Sequence, residues 1–229
     1  MKSNAPIILA LDFPDIQSTL GMIEKTSQVI SIYKVGLEFY LAQGKNGVAQ
    51  IKSSFPDIDI FLDLKLHDIP NTVAGACSSV AELKPRFLTI HASGGAEMVS
   101  AAVGASPGTS ITAVTVLTSL NTDELNKLGL PQQTQALALS MAKRAVEAGA
   151  TSIVCSPHEV GLLRKELSSK IALITPGVRP KGASHDDQIR VMTPRQAMDA
   201  GSNYVVIGRP ITKASDPGIA AAEIASSLE

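Results

Sequence analysis

The chain has 229 residues, of which 45% are hydrophobic and only 3% aromatic, and its formal net charge is −1. This length suits one large domain, and an aliphatic core is typical of the Val-, Ile- and Leu-rich strands of α/β folds. Because the lysines and arginines form no basic stripe and no aromatic platform is present, the composition argues against nucleic-acid binding.

Apolar runs typical of buried strands alternate with amphipathic segments along the chain. Eight strands are predicted, at Ile7–Phe13, Ile32–Leu37, Ile58–Leu66, Phe87–His91, Ser110–Leu117, Ser152–Cys155, Ile171–Thr175 and Tyr204–Ile207. Helices are predicted to begin near Asp15, Gly47, Pro70, Ala96, Gln133, Glu159, Pro194 and Pro217. Asp15 is a fair N-cap, and Thr193 followed by Pro194 is typical of a helix start.

The alternation of eight strands with eight helices predicts a parallel sheet. Eight such units in about 230 residues fit a closed (β/α)₈ TIM barrel, and we predict a single domain over residues 1–229. The alternative is an open, doubly wound sheet, which the absence of a GxGxxG motif after the first strand disfavours.

The cysteines, the histidines and the N-terminus narrow the class of protein further. Cys77 and Cys155 lie far apart and form no CxxC pair, which indicates reduced, mostly buried thiols in a cytoplasmic protein. The four histidines lack the spacing of a zinc site and no cofactor motif is present, so neither a metal nor a cofactor is expected. The apolar run Ile7–Leu11 is too short for a signal peptide or a membrane span.

The segment Phe61–Asp68 places three charges at the end of the predicted third strand. Because side chains alternate along a strand, Asp63 and Lys65 are predicted to share one face, and the leucines around them face the helices. Asp68 follows just beyond the strand. Buried charges are costly unless they are paired, so three charged residues on and just after an otherwise apolar strand indicate a catalytic role. A structural ion-pair network is the alternative.

The ends of strands seven and eight suggest an anion site. Gly208 and Arg209 follow the eighth strand, where barrels often bind phosphate, and a glycine turn with a forked guanidinium suits phosphate oxygens. The loop Val178–Gln188 is predicted to close over such a ligand, with Gln188 donating to the phosphate. The alternatives are an Arg209 that caps carbonyls or pairs with an acid on the rim, and ordinary solvated polarity for Arg179 and Gln188.

Polar residues that could take part in chemistry lie at the carboxyl ends of the predicted strands, where barrel active sites are found. These candidates are Asp12, Lys34, Asp63, Lys65, Asp68, Thr118 and Arg209.

The same residues carry a resemblance to a known family. The run from Asp63 to Thr72, DLKLHDIPNT, resembles the DxKxxD signature and DIPNT continuation of the orotidine 5′-phosphate decarboxylase family. Asp12 in LALD and Lys34 in YKVG match the family's strand-one aspartate and strand-two lysine. VTVLTS, TPGVRP and GRPIT match its motifs at strands five, seven and eight. Related phosphosugar decarboxylases and aldolase-like enzymes share DxKxxD alone, but the full set spans nearly the whole chain in the right order.

The resemblance implies decarboxylation of orotidine 5′-monophosphate to UMP in pyrimidine biosynthesis, with no cofactor. Lys65 would protonate C6 after CO₂ leaves, within an alternating charge row that also contains Lys34, Asp63 and Asp68. In this family the second aspartate and the DIPNT threonine reach across a homodimer interface, so Asp68 and Thr72 would serve the neighbouring site. The residues implied to bind substrate are Asp12 and Lys34 at the ribose, Thr72 near the ribose, Thr118 at the pyrimidine, Gln188, Gly208 and Arg209 at the phosphate, and Arg179 on the closing loop.

Two other functions stay open at this point. A metal-dependent phosphosugar decarboxylase or aldolase would keep the barrel, but it is expected to place an acidic metal ligand where this chain has Lys34. A barrel that only binds a nucleotide would use the charge row as structure.

Overall fold

The sheet of the molecule is a closed barrel of parallel strands. The computed structural model describes residues 5–130, 133–180 and 192–228. Its strands are β1 (Ile7–Leu11), β2 (Ile32–Gly36), β3 (Asp59–Leu66), β4 (Phe87–His91), β5 (Ser110–Val114), β6 (Ser152–Val154), β7 (Ala172–Thr175) and β8 (Tyr204–Ile207). They pair in chain order, and β8 pairs with β1. The predicted (β/α)₈ barrel is therefore confirmed, and the open doubly wound alternative is excluded.

Ten α-helices lie within the described residues. They are α1 (Ile16–Thr26), α2 (Leu37–Ser54), α3 (Pro70–Val80), α4 (Gly95–Gly104), α5 (Thr122–Lys127), α6 (Thr134–Glu147), α7 (Val160–Glu166), α8 (Pro194–Asp199), α9 (Arg209–Thr212) and α10 (Pro217–Ser226). The predicted caps are present: Asp15 accepts a hydrogen bond from the Ser18 amide at 2.7 Å, and Thr193 forms a capping box with Gln196. The short helices α5 and α9 are additional to the eight predicted.

Two predicted boundaries differ most from the structure, the start of α2 and the end of β5. The helix predicted near Gly47–Ser54 begins at Leu37, and Gly44 interrupts it with φ 62° and ψ −161°. Glycines weaken the helical signal of this segment, which hid its first turns. The fifth strand ends at Val114 rather than Leu117, because its neighbour β6 ends at Val154, the residue opposite Val114.

The barrel strands separate two apolar regions. Their outward residues, such as Leu9, Val35 and Leu62, pack with the helices into the main core. Their inward residues fill the barrel, and the buried members of this inner cluster are Ile8, Ile32, Phe61, Phe87 and Ile174. Asp63 follows Phe61 on the inward face, so strand alternation itself brings charge to the carboxyl end of the barrel.

The cysteines are free and buried, as predicted. Burial raises the pKa of the Cys155 thiol to about 12, so this side chain is neutral at physiological pH. None of the helices within the described ranges has the length and hydropathy of a membrane span.

Candidate active site

Four charged side chains form a row of alternating sign across the ends of β1, β2 and β3. Lys34 Nζ lies 3.0 Å from Asp12 Oδ1 and 3.6 Å from Asp63 Oδ2. Lys65 Nζ donates to both carboxylate oxygens of Asp63, at 2.8 and 2.9 Å. The structure thus brings together three of the four residues predicted to form the row, and it adds Asp12 at the outer end.

Asp63 is the buried centre of this row, with only 8% of the residue exposed. Burial alone would raise the pKa of its carboxyl. The charges of Lys34 and Lys65, with hydrogen bonds from Lys65 and Thr89, outweigh burial and hold that pKa below its usual range. Asp63 is therefore an anion held between two cations.

The backbone at Lys65 departs from a regular strand. Its φ of 47° lies in the left-handed region, which is uncommon for residues that carry a Cβ. The pairing between β3 and β4 advances four residues along β3, from Leu62 to Leu66, against two along β4, so β3 bulges here. Within the bulge the Lys65 amide donates to Thr89 Oγ1 at 2.8 Å. Regular alternation, on which the prediction rested, does not describe this geometry, although the Asp63 and Lys65 side chains do meet.

The charge row lines a cavity of about 190 Å³ at the mouth of the barrel. Lys34, Asp63 and Lys65 contribute its charges, and Thr118 contributes a hydroxyl. Much of the remaining wall is apolar and includes Val114, Val116, Val154, Pro176 and Val206. Apolar walls limit access of water, so the charges act more strongly on a bound molecule than they would in solution.

The predicted phosphate residues lie at the ends of the last two strands. Gly208 follows β8 and its carbonyl accepts hydrogen bonds from Ile211 and Thr212 at 2.9 and 3.0 Å, so the chain turns sharply at this rim. Arg209 begins α9 and is exposed. Since β7 and β8 are neighbours in the barrel, Arg209 and the segment after β7 lie on the same side of the mouth.

Only part of the predicted lid falls within the described residues. Arg179 is partly buried, and its guanidinium donates to the Val178 carbonyl at 3.0 Å. Gln188, with the rest of the lid from residue 181, lies outside the described residues. Closure of this loop and the role of Gln188 stay predictions.

Asp68 and Thr72, which follow β3, are exposed in the single chain. Asp68 Oδ1 accepts the amide of Ile69 at 2.7 Å, and within the described residues it forms no ion pair with a lysine of the row. The apolar side chains of Ile69 and Leu41, which follow neighbouring strands, are 66% and 80% exposed. In the single chain these two predicted site residues are therefore exposed, and the apolar side chain of Ile69, next to Asp68, is uncovered as well.

Two histidines lie beside the row. The ring centroids of His67 and His91 are 5.3 Å apart. Burial, together with the charges of His67 and Lys65, lowers the pKa of His91, so this side chain is neutral at pH 7. In the part of the chain that the structure describes, no group of three or more His, Cys, Asp or Glu side chains is placed to hold a metal ion.

The sequence reasoning missed two residues of the site, Thr89 and Gly36. Thr89 was missed because threonine is common in strands. Its position could have indicated a role, because it is a polar residue at an inward position of the apolar strand β4. A Cβ at Gly36 would lie 3.1 Å from Lys34 Nζ and 3.6 Å from Asp12 Oδ1. The signal there was a glycine within a strand, which often marks a close approach.

Comparison with known proteins agrees with this architecture over the whole chain. Residues 5–224 match the family described as "Orotidine 5'-phosphate decarboxylase / HUMPS family". A protein of Thermobifida fusca (strain YX) named orotidine 5′-phosphate decarboxylase is 51% identical over 225 residues, covering 98% of this chain and 96% of the relative. A protein of the same name from Anaeromyxobacter sp. (strain K) is 47% identical over 230 residues, with 100% of both covered. A crystal structure of orotidine 5′-phosphate decarboxylase from Lactobacillus acidophilus aligns with a TM-score of 0.86 at 34% identity, covering 99% of this chain and 100% of that one.

Proposed function

Because this chain belongs to the orotidine 5′-phosphate decarboxylase / HUMPS family and is an enzyme of the carboxy-lyase class, we propose that it converts orotidine 5′-monophosphate to UMP without a cofactor. The observation that carries this proposal is the ammonium of Lys65, held by the buried carboxylate of Asp63 inside the cavity. We place the reaction in pyrimidine biosynthesis in the cytoplasm, and the free, buried cysteines support a reducing location.

The proposed reaction breaks the bond between C6 of the pyrimidine and its carboxylate. CO₂ leaves and the electron pair stays on C6, where no attached group can delocalise it. A fixed positive charge in a water-poor cavity stabilises such a developing anion. Lys65 then transfers a proton from Nζ to C6, which forms the C6–H bond of UMP, and it regains a proton from solvent.

The other members of the row are proposed to orient the reactants. Asp63 fixes the Lys65 ammonium through both carboxylate oxygens, and its charge beside the substrate carboxylate raises the energy of the bound ground state. Asp12 and Lys34, paired at 3.0 Å, are proposed to bind the ribose hydroxyls. Thr118, on the cavity wall, is proposed to contact the pyrimidine amide.

The direct test is formation of UMP by the purified protein, followed by the change in absorbance on mixing with orotidine 5′-monophosphate. A metal-dependent phosphosugar decarboxylase or aldolase would need an acidic ligand near Asp63, where Lys34 places an ammonium at 3.6 Å. Turnover should therefore persist in the presence of a chelator. Absence of turnover by folded protein, or loss on chelation that magnesium restores, would contradict the proposal.

Arg209→Ala is expected to lower kcat/KM by about 100-fold, since a charge-assisted hydrogen bond contributes about 1.5–3 kcal/mol. Binding energy from the phosphate acts at the distant reacting carbon, so added phosphite dianion should accelerate turnover of a substrate that lacks its phosphate. Steady-state kinetics with and without phosphite measures both effects. Arg195→Ala removes an exposed arginine that pairs with Asp199 and serves as the control. If Arg209→Ala behaves like the control, the phosphate site lies elsewhere.

Gly36→Ala is expected to raise KM by about three- to tenfold, because the added methyl group would displace the Lys34 ammonium from Asp12 and disturb the ribose contacts. Substrate titration measures this change. Gly21→Ala is the matched control: Gly21 lies in α1, and an added Cβ there meets nothing within 4 Å. An unchanged KM in Gly36→Ala would separate the Asp12–Lys34 pair from substrate binding.

We also propose that the active enzyme is a homodimer in which Asp68 and Thr72 reach the site of the partner subunit. Both residues are exposed in the single chain, and so are the apolar side chains of Ile69, next to Asp68, and of Leu41 in α2, the helix that follows the neighbouring strand β2. Exposed apolar surface of this kind favours association, and a twofold axis places the same rim on both subunits. The charge row would then gain Asp68, the second aspartate of the DxKxxD signature, from the neighbouring chain.

A further inference from the structure

A buried hydroxyl contacts both members of the Lys65–Asp63 pair. Thr89, the middle residue of β4, has no exposed surface. Its Oγ1 accepts the Lys65 amide hydrogen at 2.8 Å and donates to Asp63 Oδ1 at 3.0 Å. Thr89 is not among the described residues that line the cavity. Any effect on the reaction must therefore pass through the two residues that it holds.

The bulge in β3 explains why this hydroxyl is needed. The extra residues of the bulge leave the Lys65 amide without a regular ladder partner, and a buried amide without a partner is costly. The left-handed backbone of Lys65 carries strain of its own, which persists only where surrounding contacts fix it. The Thr89 hydroxyl supplies such a contact, because it ties that amide to the same carboxylate that binds the Lys65 ammonium.

We propose that Thr89 is a positioning residue for decarboxylation. Its hydroxyl holds the Lys65 backbone in the left-handed conformation and the Asp63 carboxylate against Nζ, so that the ammonium is aimed at C6. The inference rests on the function proposed for this site. It adds a residue that lies outside every motif noted in the sequence.

Thr89→Val removes the hydroxyl at nearly constant volume. We expect kcat to fall by about 10- to 100-fold, because small displacements of a catalytic group are costly, and KM to change by less than about threefold, because the phosphate and ribose contacts are untouched. Thr89→Ser keeps the hydroxyl and should stay within about threefold of wild type in kcat. Thr26→Val is the matched control: Thr26 is equally buried, and its hydroxyl pairs with Tyr33 on the helical side of the barrel.

The pH dependence of kcat/KM distinguishes a positioning role of the Thr89 hydroxyl from a role in packing alone. Asp63 is faced by Lys34 from β2, by Lys65 from β3 and by His91 from β4, with Asp12 beyond Lys34. The Thr89 hydrogen bond favours the ionised carboxyl and lowers its pKa, so its loss raises that pKa. Activity requires the ionised form, and the acidic limb of kcat/KM should therefore move to higher pH in Thr89→Val. In Thr89→Ser and Thr26→Val the acidic limb of kcat/KM should stay at the wild-type pH.

Each outcome decides a separate question. A folded wild-type protein without turnover overturns the proposed function. An active wild type with Thr89→Val equal to Thr26→Val, or with its acidic limb unmoved, overturns the inference alone. If Thr89→Val does not fold, Thr89→Ser and Thr89→Ala form a pair that differs only by the hydroxyl. A kcat ratio of about tenfold or more between them supports positioning, and equal values overturn it.

Discussion

Replacing Lys65 by alanine is expected to lower kcat by about 10⁴-fold or more while the barrel stays folded. A positioned general acid contributes about 10²–10⁴-fold, and a preorganised charge at a developing anion about 10²–10³-fold. Lys65 is proposed to supply both. The side chain of Lys65 is one-third exposed. When it is removed, Asp63 still has Lys34 at 3.6 Å and the hydrogen bond from Thr89, so the substitution leaves no unpaired buried charge. Single-turnover rates and thermal melts measure the two quantities.

Lys143→Ala is the matched control, because Lys143 pairs with Glu166 at 2.6 Å on the outer helices and should be dispensable for turnover. If the charge row served only as structure, Lys65→Ala would instead lower the melting temperature and leave turnover at the wild-type rate. Near-wild-type turnover by folded Lys65→Ala would refute its role as proton donor.

Mixing Lys65→Ala with Asp68→Ala, each of which is expected to be inactive alone, is expected to restore activity. In a mixed dimer, the subunit that keeps Lys65 receives an intact Asp68 from its partner, so one site is complete and the other lacks both residues. Random exchange between twofold dimers gives about half mixed dimers, and hence about one quarter of the wild-type sites in the unfractionated mixture and about one half in purified mixed dimers. Co-expression with two different affinity tags, followed by assay of the doubly purified dimer, measures this recovery.

The control for that experiment pairs Lys65→Ala with Asp63→Ala. Lys65 and Asp63 are in contact within one chain at 2.8 Å, so no mixed dimer contains a complete site and no recovery is expected. Asp68, by contrast, accepts a hydrogen bond from the neighbouring Ile69 amide and, among the described residues of its own subunit, forms no ion pair with Lys34 or Lys65. If Lys65→Ala and Asp68→Ala do not complement each other, Asp68 acts within its own chain or not at all.

The features that follow from regular periodicity could be predicted from the sequence. Strand alternation placed Asp63, two residues after Phe61, on the inward face of β3, and eight aliphatic strands in turn with helices predicted the barrel that brings Lys34 and Asp12 beside it. Chain order also placed Arg209 on the rim. Each of these depends only on a period of two along a strand and on the closure of a parallel sheet.

The features that depend on irregular backbone could not be predicted. The bulge at Lys65 breaks the period of two, so neither its left-handed φ nor the Thr89 hydroxyl that takes up its amide follows from alternation. Gly44 interrupts α2, which concealed the helical turns that begin at Leu37. The exposure of Asp68 in the single chain depends on the direction of the chain after β3, which no local pattern encodes.

The left-handed backbone of Lys65 sets stability and turnover against each other at one residue. Glycine adopts this conformation without the penalty of about 1–2 kcal/mol that a Cβ brings. A laboratory selection for heat resistance alone would therefore favour glycine at position 65, and each clone it enriched there would have lost the proposed proton donor. Directed evolution of a more durable enzyme from this chain must screen for product formation at every round.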